Sequence, residues 1–283
     1  MRKINIGIIG AGTMGGVHAR IAAKSGRAEV LSVFDVDMAK ARKLACQFNA
    51  TPFEDLNEML KSGIEMVFVC VPNRLHAQVS IQALKAGKHE FCEKPLAISL
   101  EEALQIKKSA EKAGKRVFVG LNRRFSPVYV QTKNTVSLPE FKPAHINIIQ
   151  NDGDMMGCVW SADLKNMGGF LFDTTVHFLD MAEYLLGEIQ EVRALGMAAC
   201  YEMQDDFVIQ LKFANGRLGA ITTCGHASWI FPFERVQVVG DHRSVITEEL
   251  DIYRYSPGLN KTIEAYDYSK LPFEEKWGYQ AMH

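Results

Sequence analysis

The sequence predicts an α/β protein, with a doubly wound parallel sheet followed by an α+β domain that carries a large, mostly antiparallel open sheet. Residues 1–120 alternate short apolar runs with helical patterns, as a parallel sheet with crossover helices requires. From residue 144 onward the apolar runs follow one another with a single helical segment between them, which favours antiparallel strands. The chain has 283 residues, enough for two domains of ordinary size. We therefore expect one domain over 1–121 and a second over 122–283.

The first half opens with a strand over Ile4–Ile9, a glycine-rich turn, a helix and a second strand that ends at Asp35. Ser99, followed three residues later by Glu102, is typical of the start of a capped helix. The later elements of this half are predicted as a helix over 37–48, a short helix near 54–61, a strand over 65–71, a helix over 73–86, a strand over 89–92, a helix from Ser99 to Gly114 and a strand over 116–119.

The second half is predicted to be rich in strands. Residues 122–125 are expected to lead into a helix that runs to about Val136, and another helix is expected over about 170–186. The expected strands are 144–150, 189–201, 206–213, 217–224, 234–239 and 244–248.

The turn after the first strand reads Gly10-Ala11-Gly12-Thr13-Met14-Gly15, the spacing of a dinucleotide-binding fingerprint. Gly10 allows the tight turn, Gly12 lets the backbone approach a pyrophosphate, and Gly15 lets the helix pack closely on the strand. The helix that follows presents free N–H groups to phosphates. The alternative is an ordinary strand-to-helix turn, but the flanking strands favour a bound dinucleotide.

Asp35 lies 20 residues beyond Gly15, at the end of the second strand, where a carboxylate binds the ribose diol of NAD. A carboxylate repels the additional phosphate of NADP, so NAD is the expected cofactor. Lys40 and Arg42 are near enough in sequence to leave NADP open. A strand-end cap is the alternative role for Asp35.

Composition excludes several classes of partner. The formal net charge is −1, which gives no reason to expect a nucleic acid or an anionic membrane. No apolar run approaches the roughly 20 residues that a membrane span needs, and we expect a cytoplasmic protein. The six cysteines form no CxxC pair, and most lie in apolar runs. Buried thiols are therefore favoured over disulfides or a zinc site, and no metal is predicted.

Four motifs in order resemble the Gfo/Idh/MocA family, the group of glucose-fructose oxidoreductase and inositol dehydrogenase. They are the glycine turn, Val71-Pro72-Asn73 with His76 three residues on, Glu93-Lys94-Pro95, and Gly168-Gly169 leading to Asp173 and His177. The resemblance covers nearly the whole chain. It implies a Rossmann domain, a second domain with an open sheet, and NAD(P)-linked oxidation or reduction of a sugar, inositol or related polyol. It also implies a homodimer or homotetramer assembled through the open sheet.

The resemblance carries specific residues over. It assigns catalysis to Lys94, Asp173 and His177. It implies a cofactor site of Gly10, Gly12, Thr13, Met14, Gly15, Asp35, Val71, Pro72, Asn73, His76, Glu93 and Lys94. The implied substrate contacts are Lys94, Arg123, Trp160, Asp173 and His177. The rings of Trp160 and Tyr255 suit the apolar faces of a sugar. Packing is the alternative role for these two residues and for His76.

The chain departs from the family pattern at three places. Ser161 follows Trp160 where the family often has arginine, and Met167 replaces the first of three glycines. Family members also continue beyond the position of Ala281 through a long helix, so the resemblance implies either a truncated sequence or the absence of that element.

Oxidation of a secondary alcohol needs a hydride acceptor and a base for the hydroxyl proton. Asp173 and His177 are four residues apart, so a helix would place both on one face. A carboxylate there would orient the imidazole, which predicts His177 as the general acid/base. Lys94 either hydrogen-bonds the reacting oxygen or, in its uncharged form, accepts the proton itself. A local ion pair is the alternative for Asp173 and His177. With Asp180 they would make a poor metal site, because no further His or Cys flanks them.

Three functions remain open at this point. The leading hypothesis is an NAD(P)-dependent dehydrogenase that acts on a polyol or sugar. The second is a non-catalytic NAD(P)-binding sensor, which has no need of Lys94, Asp173 and His177 together. The third is a glycosidase that uses the same site and oxidises its substrate transiently.

Overall fold

The structure, a computed structural model, describes residues 2–154, 167–229 and 231–283. Two compact units are present. The described residues of the first unit are 2–120, 167–168 and 283, and those of the second are 121–154, 169–229 and 231–282. Trp160, a predicted substrate contact, lies outside the described residues. Within the described ranges, no helix combines the length and the apolar character that crossing a bilayer requires.

The first unit contains a six-stranded parallel sheet with the strand order β3-β2-β1-β4-β5-β6, as the sequence predicts for a doubly wound fold. The order reverses between β1 and β4, so their carboxyl ends flank the point where such folds bind ligands. Its strands are β1 (Ile4–Ile9), β2 (Ala28–Phe34), β3 (Thr51–Phe53), β4 (Met66–Val69), β5 (His89–Cys92) and β6 (Val117–Val119).

Helices connect these strands, and their ends follow from local sequence. The side chains of Asp37, Asp55 and Ser99 each accept a backbone N–H bond at a helix N-terminus. The longest helix ends at Gly114, which has a φ of 63°. The helices are α1 (Thr13–Lys24), α2 (Met38–Phe48), α3 (Leu56–Lys61), α4 (His76–Lys85) and α5 (Leu100–Ala113).

The second unit contains an eight-stranded sheet in which β7 and β10 pair in parallel and the other neighbours pair antiparallel. The strands are β7 (Pro143–Asn151), β8 (Ile189–Met197), β9 (Asp206–Phe213), β10 (Leu218–Cys224), β11 (Glu234–Gly240), β12 (Arg243–Glu248), β13 (Ile252–Ser256) and β14 (Glu264–Asp267). The sequence prediction missed β13 and β14 and extended β8 to residue 201, where the chain already forms a loop.

Two helices of this unit contact the sheet, and two short ones near its end contact other helical segments. They are α6 (Pro127–Val136), α7 (Val176–Leu186), α8 (Phe273–Lys276) and α9 (Tyr279–Met282). Helix α6 contacts β12 and β13, and α7 contacts β7. Alternate residues of β9, from Phe207 to Phe213, are buried on one face of the sheet, while Val208 on the other face is 48% exposed. The expected open sheet is therefore present.

One of the two predicted helices of the second unit begins differently from expectation. As expected, Asn122–Phe125 lead into α6; they form a 3₁₀ turn, and α6 begins at Pro127, whose fixed φ suits a first helical position. The segment expected as one α-helix over 170–186 starts with a π-helical turn, Leu171–Thr175, before α7. Asp173 therefore lies in a wider turn than the α-helical spacing assumed.

Glu90 is a fully buried carboxyl group inside the first unit, on β5. Its Oε1 accepts a hydrogen bond from the Ser80 hydroxyl. Burial raises the pKa of Glu90 to about 7, because it outweighs the lowering effect of hydrogen bonds from the Ser80 and Cys92 side chains. The folded protein thus holds a proton that the unfolded chain releases near pH 4.5.

This burial makes the stability of the first unit pH-dependent. As pH rises from 4.5 to about 7 the unfolded chain releases the Glu90 proton first, so the folded state loses stability over that window. A shift of this size corresponds to roughly 3 kcal/mol. We expect E90Q, which keeps the acceptor for Ser80, to be more stable than the parent protein at pH 8, with the difference shrinking towards pH 5.

Urea denaturation of both proteins across this pH range measures the effect. The control is E29Q, which alters an exposed carboxylate on a strand of the same sheet. Equal pH dependence in the parent protein and in E90Q would contradict the assignment.

Candidate functional site

In the glycine turn after β1, two of the glycines lie very close to neighbouring backbone atoms. Gly10 has a φ of +97°, and a Cβ added there would lie 2.4 Å from the carbonyl oxygen of Cys70 at the end of β4. A Cβ at Gly15 would lie 2.0 Å from the carbonyl oxygen of Gly10. A Cβ at Gly12 would meet nothing within 4 Å. Two of the glycines are thus needed for packing, and the third leaves open space in front of α1.

That open space suits a dinucleotide. Helix α1 begins at Thr13 without a side-chain cap on its N-terminal N–H groups and without an acidic residue in its first turn. Uncapped N–H groups at a helix N-terminus favour an anion such as a pyrophosphate. The residues present therefore fit NAD at the turn that the sequence singled out.

Asp35 follows β2 and is hydrogen-bonded to backbone on both sides. Its Oδ2 accepts from the Ala11 N–H at 2.7 Å, and its Oδ1 accepts from the Asp37 N–H at 2.8 Å. The carboxylate therefore holds the glycine turn in place. Asp35 thus caps backbone groups at the strand end and also lies beside the turn. Carboxylate oxygens accept more than one hydrogen bond, so a ribose diol remains compatible with these contacts.

His76 joins the two turns that follow β4 and β5. Its ring is fully buried, with Nδ1 2.6 Å from the Pro95 carbonyl oxygen and Nε2 2.9 Å from the Val71 carbonyl oxygen. A neutral imidazole donates through one nitrogen, whereas the cation donates through both. Burial lowers the pKa of His76, and the two carbonyl groups oppose this shift without cancelling it. The ring ties the Pro72 turn to the turn that carries Lys94.

The Glu93 carboxylate supports Lys94 from the other side. Its Oε2 accepts the Lys94 backbone N–H at 3.1 Å, and its Oε1 lies 2.5 Å from Nε2 of the buried His18 on α1. Burial raises the pKa of Glu93, but the contact with His18 and the charge of Lys94 outweigh it and hold the pKa below its usual value. The buried Glu93 carboxylate thus fixes the backbone of the half-buried Lys94.

His283 belongs to the first unit and extends this buried network. Its Nε2 lies 2.7 Å from Nδ1 of His18, and its ring packs against Phe68 and Phe91. Burial and the neighbouring His18 lower the pKa of His283 to about 4, so it is neutral at pH 7.

Asn73, in the Val71-Pro72-Asn73 turn, is also buried. Its side-chain Nδ2 donates to the Met167 carbonyl oxygen at 3.0 Å, within the first unit. This contact positions the turn that the sequence assigns to the cofactor site.

In the second unit, His177 is buried in the first turn of α7 and Asp173 is half-buried in the π-helical turn before it. The backbone N–H of Asp173 donates to the Gly169 carbonyl oxygen at 3.0 Å. Gly169 has a φ of +106°, a conformation that strongly favours glycine. The Gly-Gly motif therefore sets the start of the helical segment that carries both predicted catalytic residues.

A buried polar network, which the sequence analysis missed, lies beneath this segment. Thr174 Oγ1 donates to Asp152 Oδ2 at 2.9 Å, and Gln150 Nε2 donates to Asp152 Oδ1 at 3.2 Å. Thr223 donates to Gln150 and lies 3.3 Å, oxygen to oxygen, from Thr175. Gln150 and Thr223 each lie two residues after a buried isoleucine of the same strand and therefore point to the same side of the sheet. A polar residue at such an inward position is the sequence signal that would have identified this network.

Arg123, a predicted substrate contact, is buried and paired with Glu234. Its Nε and Nη2 donate to Glu234 Oε2 at 3.0 and 2.8 Å, and its guanidinium lies over the rings of Phe178 and Trp277. Tyr129 donates to the other Glu234 oxygen at 2.7 Å. These contacts stabilise the second unit, and a role for Arg123 towards a substrate stays a prediction. Tyr255 is buried and stacks on Phe141, the packing alternative.

Around Lys94 the structure brings together Val71, His76 and Glu93 of the predicted site, together with His18 and His283, which the sequence prediction did not include. The signal for His18 is a histidine on the apolar face of α1, which points into the unit.

Comparisons with known proteins agree with this architecture. The Gfo/Idh/MocA family model for the "Oxidoreductase family, NAD-binding Rossmann fold" matches residues 4–121. The family model for the GFO/IDH/MocA C-terminal domain matches residues 144–246. An uncharacterized oxidoreductase of Bacillus subtilis is 30% identical over 87% of this chain and 74% of its own length. The myo-inositol 2-dehydrogenase of Thermotoga maritima is 28% identical over 87% of this chain and 76% of its own length.

Solved structures share the fold. A levoglucosan dehydrogenase in complex with NADH and levoglucosan superposes with a TM-score of 0.89. The two are 20% identical, and the match covers 99% of this chain and 88% of the other.

The contacts of His76 lead to a test of its positioning role. In H76A the buried carbonyl group that accepts the ring N–H loses its donor, which should cost about 1–3 kcal/mol of folding free energy. The Pro72 and Lys94 turns would no longer be tied, so we expect NAD affinity to fall by about tenfold, equivalent to about 1.4 kcal/mol. Isothermal titration with NAD and urea denaturation measure the two effects.

H89A is the matched control, since His89 accepts a hydrogen bond from the Arg116 backbone N–H and contacts neither turn through it. A variant H76A that is destabilised but binds NAD as tightly as H89A would show that His76 only supports the fold.

Proposed function

We propose a hydride-transfer reaction for this chain, which belongs to the Gfo/Idh/MocA family of oxidoreductases. The hydride passes between NAD and a secondary hydroxyl or ketone of an inositol, sugar or related polyol. The observation that carries the proposal is the fixed position of Lys94. It follows the carboxyl end of β5, with its backbone N–H bound to Glu93 and the next residue bound to His76. Such support suits a side chain that must meet a reacting atom.

NAD, when bound, supplies the hydride acceptor for this reaction. The chain provides the anion-binding end of α1, the open space at Gly12 and the carboxylate of Asp35. Thr13, Met14 and Asn73 complete the cofactor site in this proposal.

Lys94 is proposed to act on the substrate oxygen. An ammonium beside a hydroxyl stabilises the negative charge that develops on oxygen as the carbon loses its hydride. The same group holds a ketone oxygen in the reverse direction.

His177 is proposed to move the proton. A secondary hydroxyl must lose its proton as the carbonyl forms, and imidazole is suited to accept it near neutral pH. Asp173 is proposed to bind substrate or to orient the imidazole. The polar network of Asp152, Gln150 and Thr174 supports the helical segment that carries both residues.

Inositol dehydrogenases among the relatives support a polyol substrate. The proteins of Thermotoga maritima and Rhizobium meliloti are named for inositol oxidation, and a Bacillus subtilis relative is named scyllo-inositol 2-dehydrogenase (NAD⁺). For this chain an inositol is therefore the first substrate class to try, with sugars second.

Self-association through the open sheet face is part of the proposal. Leu195, Val208, Thr222 and Ile149 lie side by side across four strands on that face. Leu195 is 80% exposed and Val208 48% exposed, which leaves an apolar row for a second copy to cover. A homodimer or homotetramer is expected, and a monomeric mass by light scattering at micromolar concentration would contradict it.

The catalytic assignment predicts the behaviour of two variants. We expect K94A and H177A each to lower kcat by about 100-fold or more, because each removes a group that acts in the transition state. H177A should retain the NAD affinity of the parent protein. A panel of inositols, sugar alcohols and aldoses, followed by the absorbance of NADH, measures turnover, and titration calorimetry measures cofactor binding.

K115A and H145A are control variants, since neither residue belongs to the proposed site. Tight NAD binding without turnover on any member of the panel would favour a sensor. Hydrolysis of an aryl glycoside without net NADH would identify a glycosidase. Undiminished turnover in H177A would refute its role.

A further inference from the structure

Three potential metal ligands meet at one end of the eight-stranded sheet. Cys200 and Asp205 belong to the connection between β8 and β9, and His226 follows β10 closely. One ligand atom from each residue, a sulfur, a carboxylate oxygen and a ring nitrogen, lies within 4.8 Å of the other two. All three residues are described and belong to the second unit.

The thiol is accessible, contrary to the sequence-based expectation. That expectation favoured buried thiols, but Cys200 is exposed, as is Cys46 on α2. Among the described cysteines only Cys92 is buried. The donor set of thiolate, imidazole and carboxylate suits Zn²⁺, whereas Mg²⁺ and Ca²⁺ prefer oxygen ligands alone.

Backbone hydrogen bonds fix the geometry of these side chains before any ion binds. The fully buried Asp205 carboxylate accepts N–H bonds from Ala199 at 2.6 Å, Cys200 at 2.9 Å and Tyr201 at 3.3 Å. The Gly225 N–H donates to the Asp205 carbonyl oxygen at 2.8 Å, which brings the residue before His226 to the same place. Little loop ordering would therefore be required on binding.

A second carboxylate lies beside the imidazole. Asp206 Oδ2 is 3.3 Å from Nε2 of His226. Ligand histidines commonly have a carboxylate next to the ring, which orients the ring and strengthens it as a donor. Asp206 is not one of the three proposed ligands, and its carboxylate adds negative charge next to a prospective cation.

We propose that Cys200, Asp205 and His226 form a zinc site that cross-links the β8–β9 loop to the segment after β10. The Cys200 thiol gives up its proton to the solvent as its sulfur binds the ion, while Asp205 binds as a carboxylate and His226 as a neutral ring. A water molecule is the fourth ligand of a tetrahedral site. The ion acts as a structural link and takes no part in hydride transfer.

Cobalt is the probe for the thiolate ligand. The full-length protein is stripped with a chelator and titrated with Co²⁺ under reducing conditions. We expect one ion per chain and a near-ultraviolet charge-transfer band from sulfur to cobalt. C200S should lose the band and weaken Zn²⁺ binding by at least about tenfold, and H226Q should weaken it similarly.

C46S is the matched control, because it removes another exposed thiol from a different unit. Circular dichroism and melting of the metal-free variants establish that each has folded. The proposal is overturned by the absence of stoichiometric Zn²⁺ or Co²⁺ binding at micromolar concentration, or by a band that survives in C200S or disappears in C46S.

Discussion

The first unit depends on how closely two strand ends approach each other. At Gly10 the backbone passes so near the Cys70 carbonyl that no side chain would fit. This contact places the end of β1 beside the end of β4, at the point where the strand order reverses. The glycine turn and the Val71-Pro72-Asn73 turn therefore lie on the same edge of the sheet, where the cofactor of such folds binds. Asp35 and Lys94, which are also proposed to act in this unit, likewise follow the carboxyl ends of strands of this sheet.

Buried polar groups then fix the functional turns. A buried histidine or carboxylate is costly unless it is hydrogen-bonded, so His76 and Glu93 hold their neighbours in defined positions. His76 holds the turns after β4 and β5 together, and Glu93 connects the Lys94 backbone to α1 through His18. In the second unit the Asp152 network plays the corresponding part for the helical segment of His177. The residues proposed to react are thus carried by segments that buried hydrogen bonds hold in place, which lowers the cost of aligning them with a substrate.

Much of the fold could be predicted because its signals are local. Five of the six strands of the first unit are short apolar runs, whereas the three-residue β3 has no such pattern and was not predicted. The caps at Asp37, Asp55 and Ser99 depend on residues two or three positions away. Strand β14 escaped prediction because it is exposed along its whole length and shows no apolar alternation. The π-helical turn at Asp173 also escaped, since its apolar pattern resembles that of the α-helix into which it leads. Long-range neighbours, such as Glu234 near Arg123 and His226 near Cys200, depend on sheet topology and have no local signal.

The central claim is that this chain moves a hydride between NAD and an oxygen-bearing carbon of a polyol. Transfer of deuterium tests it most directly. The protein is incubated with NADH deuterated at the reactive carbon of its nicotinamide ring and with a series of keto-inositols and keto-sugars. Mass spectrometry and NMR then locate the label. The account predicts deuterium on the carbinol carbon of one reduced product. Bound NADH that transfers no deuterium to any of these ketones would contradict it.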